Sequence, residues 1–151
     1  MQTHNQKTVG KVLNLFIAIK GDASRNGLTS IEVDDKGIIN DKFYNKDLER
    51  SILISSQESY QMALDNDISM PEGYLGENIF IDYNPYHLNP GDQFYIGNIL
   101  LEITQNCTLC NSLSKVNSKL PKLLKNDRGI FAKAITSGTI HKNDTIKLIC
   151  N

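Results

Sequence analysis

The sequence predicts a mainly β fold, a β-barrel or strongly bent sheet with a few short helices packed at its ends. Three observations carry this. Short runs rich in Val, Ile, Leu and Phe recur between turn residues along the whole chain. Two segments carry helical spacing. The order of these elements is too irregular for repeated parallel strand–helix–strand units, each of which needs its own crossover helix.

Taken in order, Val9 to Ile19 (VGKVLNLFIAI) mixes alternating and continuous apolar residues, as in a strand buried on one or both faces. LTSIEV (Leu28 to Val33) and SILIS (Ser51 to Ser55) read as further strands. The period then changes. Ser55-x-x-Glu58 is a capping-box signature. Tyr60 and Leu64, four apart, predict one face of a short helix. GENIFIDY (Gly76 to Tyr83) returns to strand chemistry, and Asn89 to Asp92 (NPGD) is a turn. QFYIGNILLEIT reads as a hairpin turning on Gly97 and Asn98, which both tolerate positive φ. Leu109, Leu113, Val116 and Leu120 recur at helical spacing and predict a second helix that stops at Pro121. KLLKNDRG is a short basic, polar connection. GIFAKAIT (Gly129 to Thr136), SGTIHKND and TIKLI (Thr145 to Ile149) close the chain as strand, turn and strand.

A chain of 151 residues suits one domain, taken as 1–151, with one core. Its net charge of -1 and the lack of an arginine-rich stretch exclude non-specific nucleic-acid binding as an expectation. The apolar run Val12 to Ile19 is too short to span a bilayer, and no small-residue cleavage site follows it. The expected setting is therefore the cytoplasm, with no membrane association. Three cysteines do not make a disulfide framework.

Two of those cysteines stand as Cys107-x-x-Cys110 in LEITQNCTLCNSL, and four readings are open. The first is half a zinc site, which lacks a second C-x-x-C; His4, His87 and His141 are isolated in sequence. The second is a redox pair at a strand–helix junction. The third is two small core hydrophobes. By helical phase Cys110 flanks the Leu109–Leu120 stripe rather than lying in it, so this reading suits Cys107 better. The fourth is a single working thiolate at Cys110, in the first turn of a helix, where unpaired amides and the positive dipole end lower a thiol pKa.

LEITQNCTLC resembles the cysteine motif of the MOSC domain, the C-terminal domain of molybdenum cofactor sulfurases, where a strand ends in L-E-V-T-Q-P-R-x-P-C and the last cysteine is functional. Cys110 matches that cysteine. Asn106 and Leu109 stand where the family often has proline, and Cys107 where it often has arginine. Five further segments resemble the family in order. DDKGIINDKF is similar to its G-L-x-G-D region. ERSILISSQE is similar to R-Q-V-S-L-x-x-x-E, with Arg50 on the arginine and Leu53 on the serine. LGENIFID carries Gly76, Glu77 and Asn78 on G-E-N-L. The segments around LNPGDQFYIGNILLEIT and GIFAKAITSGTIHKNDTIKL follow the family to its end, with Asn143 on a glycine. The resemblance spans about Val9 to Ile149 and suggests a standalone domain.

It implies a MOSC-type β-barrel that binds molybdenum cofactor (molybdopterin) or carries sulfur for it as a persulfide. Cys110 is the implied catalytic thiol and, where molybdenum is present, its ligand; a soft thiolate suits that metal. Arg50 and Lys36 are implied phosphate contacts and Asn78 a pterin-edge contact. Against these stand an Arg50 surface pair with Asp47 or Glu49, a plain loop lysine at Lys36, and an Asn78 side chain that satisfies backbone. Glu77 reads as structural and Asp144 as a turn cap. The chain has no room for a pyridoxal-phosphate domain, so a cysteine desulfurase or a molybdoenzyme is an implied partner. The alternatives are a molybdenum-dependent reductase of N-hydroxylated compounds, served by an electron-donor protein, and a small zinc or thiol-redox protein.

Overall fold

The computed structural model describes residues 5–19, 21, 27–107, 119–125 and 127–150. Its strands are β1 (Asn5–Leu15), β2 (Ser30–Asp34), β3 (Gly37–Ile38), β4 (Ile52–Ser56), β5 (Ile79–Ile81), β6 (Gln93–Ile96), β7 (Ile99–Asn106), β8 (Ile130–Ala134), β9 (Gly138–His141) and β10 (Thr145–Cys150). Seven of them close a barrel in the order β1-β10-β6-β7-β8-β4-β5, and β3-β2-β9 form a small sheet. The fold is mainly β, as expected. Closure depends on β1, whose first half pairs with β10 and whose last residues pair with β5. Among the described strands of the barrel, only β4 and β5 pair in parallel. The helix that intervenes between them is α1 (Gln57–Asp65).

Alternation fills the barrel. Ile52 and Ile54 of β4, Ile99, Leu101 and Ile103 of β7, and Ile130, Ala132 and Ala134 of β8 share one core with β1, β5 and the small sheet. Removing such aliphatic surface from water is the main favourable term in folding. A second, smaller cluster packs α1 through Ala63 against Ile68, Leu75 and Leu124.

The turns follow their residue chemistry. Gly97 takes φ 58 at the β6–β7 hairpin; Asn98 does not share the positive φ, so glycine is needed only at the first turn position. Asn143, on the family's glycine, takes φ 75. Asparagine is one of the few side chains that enters this region at small cost. Beside it, Asp144 accepts from the His141 amide at 2.7 Å, the expected cap.

Several boundaries differ from expectation. The first strand starts at Asn5 and ends at Leu15, because Phe16 leaves the sheet to bond Asn78. The helix cap is Ser56, not Ser55: the Ser56 hydroxyl accepts from the Glu58 amide at 3.1 Å. The buried face of α1 is then Ser59 and Ala63, while Leu64 is 55% exposed. Pro121 lies inside the short α2 (Leu120–Leu123). There it gives up an amide that has no helical partner anyway. The helical stripe Leu109, Leu113 and Val116, and Cys110 with it, lie outside the described residues. SGTIHKND holds strand β9 rather than a turn alone, because pairing with β2 gives it a ladder. Among the described residues no helix is long and apolar enough to cross a membrane.

Candidate functional site

The outer faces of β4, β7 and β8 build the site. Outward side chains on these strands are Leu53 and Phe131, which pack together with Cys107, and all three are buried. Simple alternation from Ile103 would send Cys107 inward. A bulge prevents this: Ile103 pairs with Ala132, but Gln105 pairs with Phe131, so Thr104 is an extra residue that shifts the phase. Cys107 then follows Gln105 onto the outer face, its amide held by the Gly129 carbonyl at 3.0 Å. The departures at Leu53 and Cys107 are therefore one change in space. Both positions contribute to one apolar contact.

The bulge has a second effect. The Thr104 hydroxyl donates to the Glu49 carbonyl at 2.5 Å, and the Gln105 side-chain Nε2 donates to it at 3.2 Å. Glu49 belongs to a 3-10 turn, Leu48–Arg50, capped by the Asp47 side chain. Pinning that turn sets the Arg50 guanidinium over the Phe131 ring at 5.1 Å. Neither Asp47 nor Glu49 forms an ion pair with Arg50; Glu49 lies 3.7 Å from Lys133 instead.

Above these strands lies a cleft of about 640 Å³. Its walls carry Lys42, Lys46, Arg50 and Arg128 against the carboxylate of Asp47, and its floor is Leu53, Phe131 and Cys107. The loop with the two lysines is held by Asp41, which is almost fully buried. Its carboxylate accepts from the Ala18 amide at 2.7 Å, from the Phe43 amide at 3.0 Å, and from the Asn78 side chain at 3.3 Å. These donors fix the loop on which the two lysines stand.

Asn78 is a clasp. Its side-chain oxygen accepts from the Leu53 amide at 3.0 Å, and its nitrogen donates to the Phe16 carbonyl at 3.2 Å as well as to Asp41. Both N–H donors are therefore used inside the protein, although the residue lines the cleft. Glu77 is fully buried and accepts from the Tyr60 hydroxyl at 2.6 Å; burial and that carboxylate push the Tyr60 pKa upward, so the phenol stays protonated. Lys36 is exposed in the β2–β3 turn, outside the lining of the cleft, its amide bonded to Asp34.

Arg128 went unread in the polar run KLLKNDRG. It is 8% exposed and donates from one terminal nitrogen to the Leu75 carbonyl at 3.1 Å. Its Nε is buried without a hydrogen-bond partner, and no described carboxylate pairs with it. Lys42, Lys46 and Asp41 were missed too; only the clustering of DKFYNK hinted at them. Among the described residues no group of three or more His, Cys, Asp and Glu side chains comes together as a metal site.

The arrangement as a whole is a cleft with cationic walls and an apolar floor, next to the end of β7. Known structures share its frame. The chain superposes on the YuaD protein from Bacillus subtilis with a TM-score of 0.79 at 18% identity, covering 96% of this chain and 97% of that one. It superposes on YiiM from Escherichia coli with a TM-score of 0.68 at 16% identity, over 93% and 70% of the two chains. For YiiM from Geobacillus stearothermophilus the TM-score is 0.67 at 15% identity, over 97% and 76%. Comparison with curated proteins gives no match. The sequence profile of the MOSC domain matches residues 25–147, and the chain belongs to the MOSC domain family.

Proposed function

We propose that this chain binds the molybdenum cofactor, or carries sulfur destined for it, with Cys110 as the working thiol. The observation that carries the reading is the cleft, with four cationic side chains against one carboxylate beside the end of β7. Molybdopterin is flat, anionic and phosphorylated, and a cleft with cationic walls and an apolar, aromatic floor suits both properties. When bound, the cofactor would supply a redox metal held by a dithiolene.

The chain's own residues have distinct tasks in this reading. Arg50, steadied over Phe131, and the lysines at 42 and 46 attract the phosphate. Lys36, exposed and outside the lining, contributes only long-range field. Asn78 shapes the wall through Leu53 and Asp41 rather than by touching the pterin. In the carrier role, the Cys110 thiolate attacks the outer sulfur of a donor persulfide. The donor's S–S bond breaks, a new one forms at Cys110, and the donor leaves as a thiolate. A cytoplasmic cysteine desulfurase is the donor this chemistry asks for, and a molybdoenzyme is the natural recipient.

The test is metal and pterin analysis of protein purified from a molybdenum-replete host. Molybdenum and pterin should copurify and disappear in Cys110→Ala. One zinc per chain, lost with either Cys107→Ala or Cys110→Ala, would sink the proposal in favour of a zinc protein. Persulfide trapping after exposure to a cysteine desulfurase separates roles: label on Cys110 supports the carrier, and bound molybdenum without label supports a reductase.

A further inference from the structure

We infer that Arg128 is the residue that grips the anion, and that the group it takes is a tetrahedral phosphate monoester or an oxyanion of the same shape. The inference deepens the proposed function and rests on it only in taking the cleft as a ligand site. Two independent observations carry it. Arg128 lines the cleft, yet it is more than nine-tenths buried. Its Nε–H has no acceptor, and no described carboxylate forms an ion pair with it. Burying an arginine in this state is costly unless something neutralises it. Holding one carbonyl, that of Leu75, does not call for a guanidinium, since any neutral donor would serve.

The surrounding structure holds this cation in place. The Ser59 hydroxyl donates to the Asp127 carbonyl, and the Tyr86 hydroxyl lies 3.4 Å from the Arg128 carbonyl. The two hydroxyls are 2.5 Å apart, and Tyr86 also accepts from the Ser56 amide at 2.8 Å. Burial pushes the Tyr86 pKa upward, so this buried network stays protonated. On the other side Gly129 is tied to Cys107. Arg128 thus sits on a backbone fixed from three directions. With one terminal N–H committed to Leu75, the planar guanidinium keeps further donors for the oxygens of a tetrahedral anion.

The other cations differ in kind. Lys42, Lys46 and Arg50 are exposed, so their fields are screened by salt and serve attraction rather than fixation. The geometry therefore divides the work: the outer cations raise the rate of arrival, and Arg128 sets affinity and shape. A dianionic monoester should be preferred over a monoanionic diester.

The experiment titrates the intact, metal-free protein with inorganic phosphate, phenyl phosphate and dimethyl phosphate. The Arg128 Nε–H resonance is followed by NMR, with affinity measured by calorimetry. Both dianions should bind and move that resonance downfield, and the diester should bind at least about tenfold more weakly. Tighter binding of phenyl phosphate points to a monoester with a ring, and equal binding to a free oxyanion; either supports the inference. Arg128→Met should weaken phosphate by more than about tenfold, and Arg128→Lys, which keeps charge but not the fork, by about three- to tenfold. Folding of each variant is checked by its amide spectrum. Should Arg128→Met fail to fold, Arg128→Lys decides the matter.

Phosphate binding in Arg128→Lys within twofold of the parent, with Arg50→Met abolishing it, would overturn the inference and leave Arg128 structural. So would a parent protein that shows no phosphate binding. Neither result touches the copurification of molybdenum and pterin, so the two readings fail separately.

Discussion

The two faces of the wall formed by β4, β7 and β8 come from the same three strands and serve opposite ends. Inward, Ile52, Ile54, Leu101, Ile103, Ile130 and Ala132 are at most 1% exposed and belong to one aliphatic core. Outward, the same strands carry Leu53 and Phe131, under the cleft, and the Glu102–Lys133 pair at 3.5 Å. The inner face is uniform and tolerates no charge. The outer face mixes apolar floor and cationic rim. Stability and binding are thus interleaved residue by residue, and a shift of one position moves a substitution from one to the other.

Substitutions at adjacent positions test this contrast. The largest effect should come from Ile54→Ala. It opens a cavity in a sealed interior and should cost about 2–5 kcal/mol, read as a lower denaturant midpoint with an unchanged slope. Asn78→Ala should follow at about 1–3 kcal/mol, because the Leu53 amide and the Asp41 carboxylate both lose a partner. A loss near zero would show that water replaces the clasp. Next in sequence to Ile54, Leu53→Ala should cost only about 1–2 kcal/mol, since its space opens into the cleft instead of a closed void. If it matched Ile54→Ala, the cleft would be core and the contrast would fail.

The smallest effect is electrostatic. The Tyr44 hydroxyl donates to Asp34 at 2.6 Å and holds that carboxyl below its ordinary pKa, while the same contact raises the Tyr44 pKa. A depressed carboxyl pKa stabilises the fold above the unfolded value and loses that contribution as pH falls through the folded one. Tyr44→Phe should therefore raise the NMR-titrated Asp34 pKa toward normal and slightly flatten the acid limb of the stability curve. An unmoved Asp34 would mean that the Lys36 amide alone sets its acidity.

Local chemistry carried much of the fold. Alternation, the Gly97 hairpin and the closing strands depend on neighbours in sequence, and these were legible. The exception at the family's glycine was legible as an oddity, and φ 75 at Asn143 explains it. What stayed hidden depends on distant contacts. Arg128 sits in a run of polar residues that reads as solvated, and only the packing of α1, Tyr86 and Leu75 around it makes its charge a buried one. Leu53 and Cys107 read as two unrelated departures because their contact is made through Phe131. Asn78 read as a ligand contact or a backbone partner; its three hydrogen bonds favour the second, and nothing local distinguishes them.

The extra residue Thr104 has a consequence for how such chains are compared. In most loops a gap of one position is a difference in length. In β7 it is a difference in compartment. Losing one residue between Ile103 and Cys107 would turn the cysteine from the wall of the cleft into the interior of the barrel. An aligner that slides a gap across Thr104 would pair residues of like identity and opposite accessibility, and the inherited role would be assigned to the wrong side of the barrel.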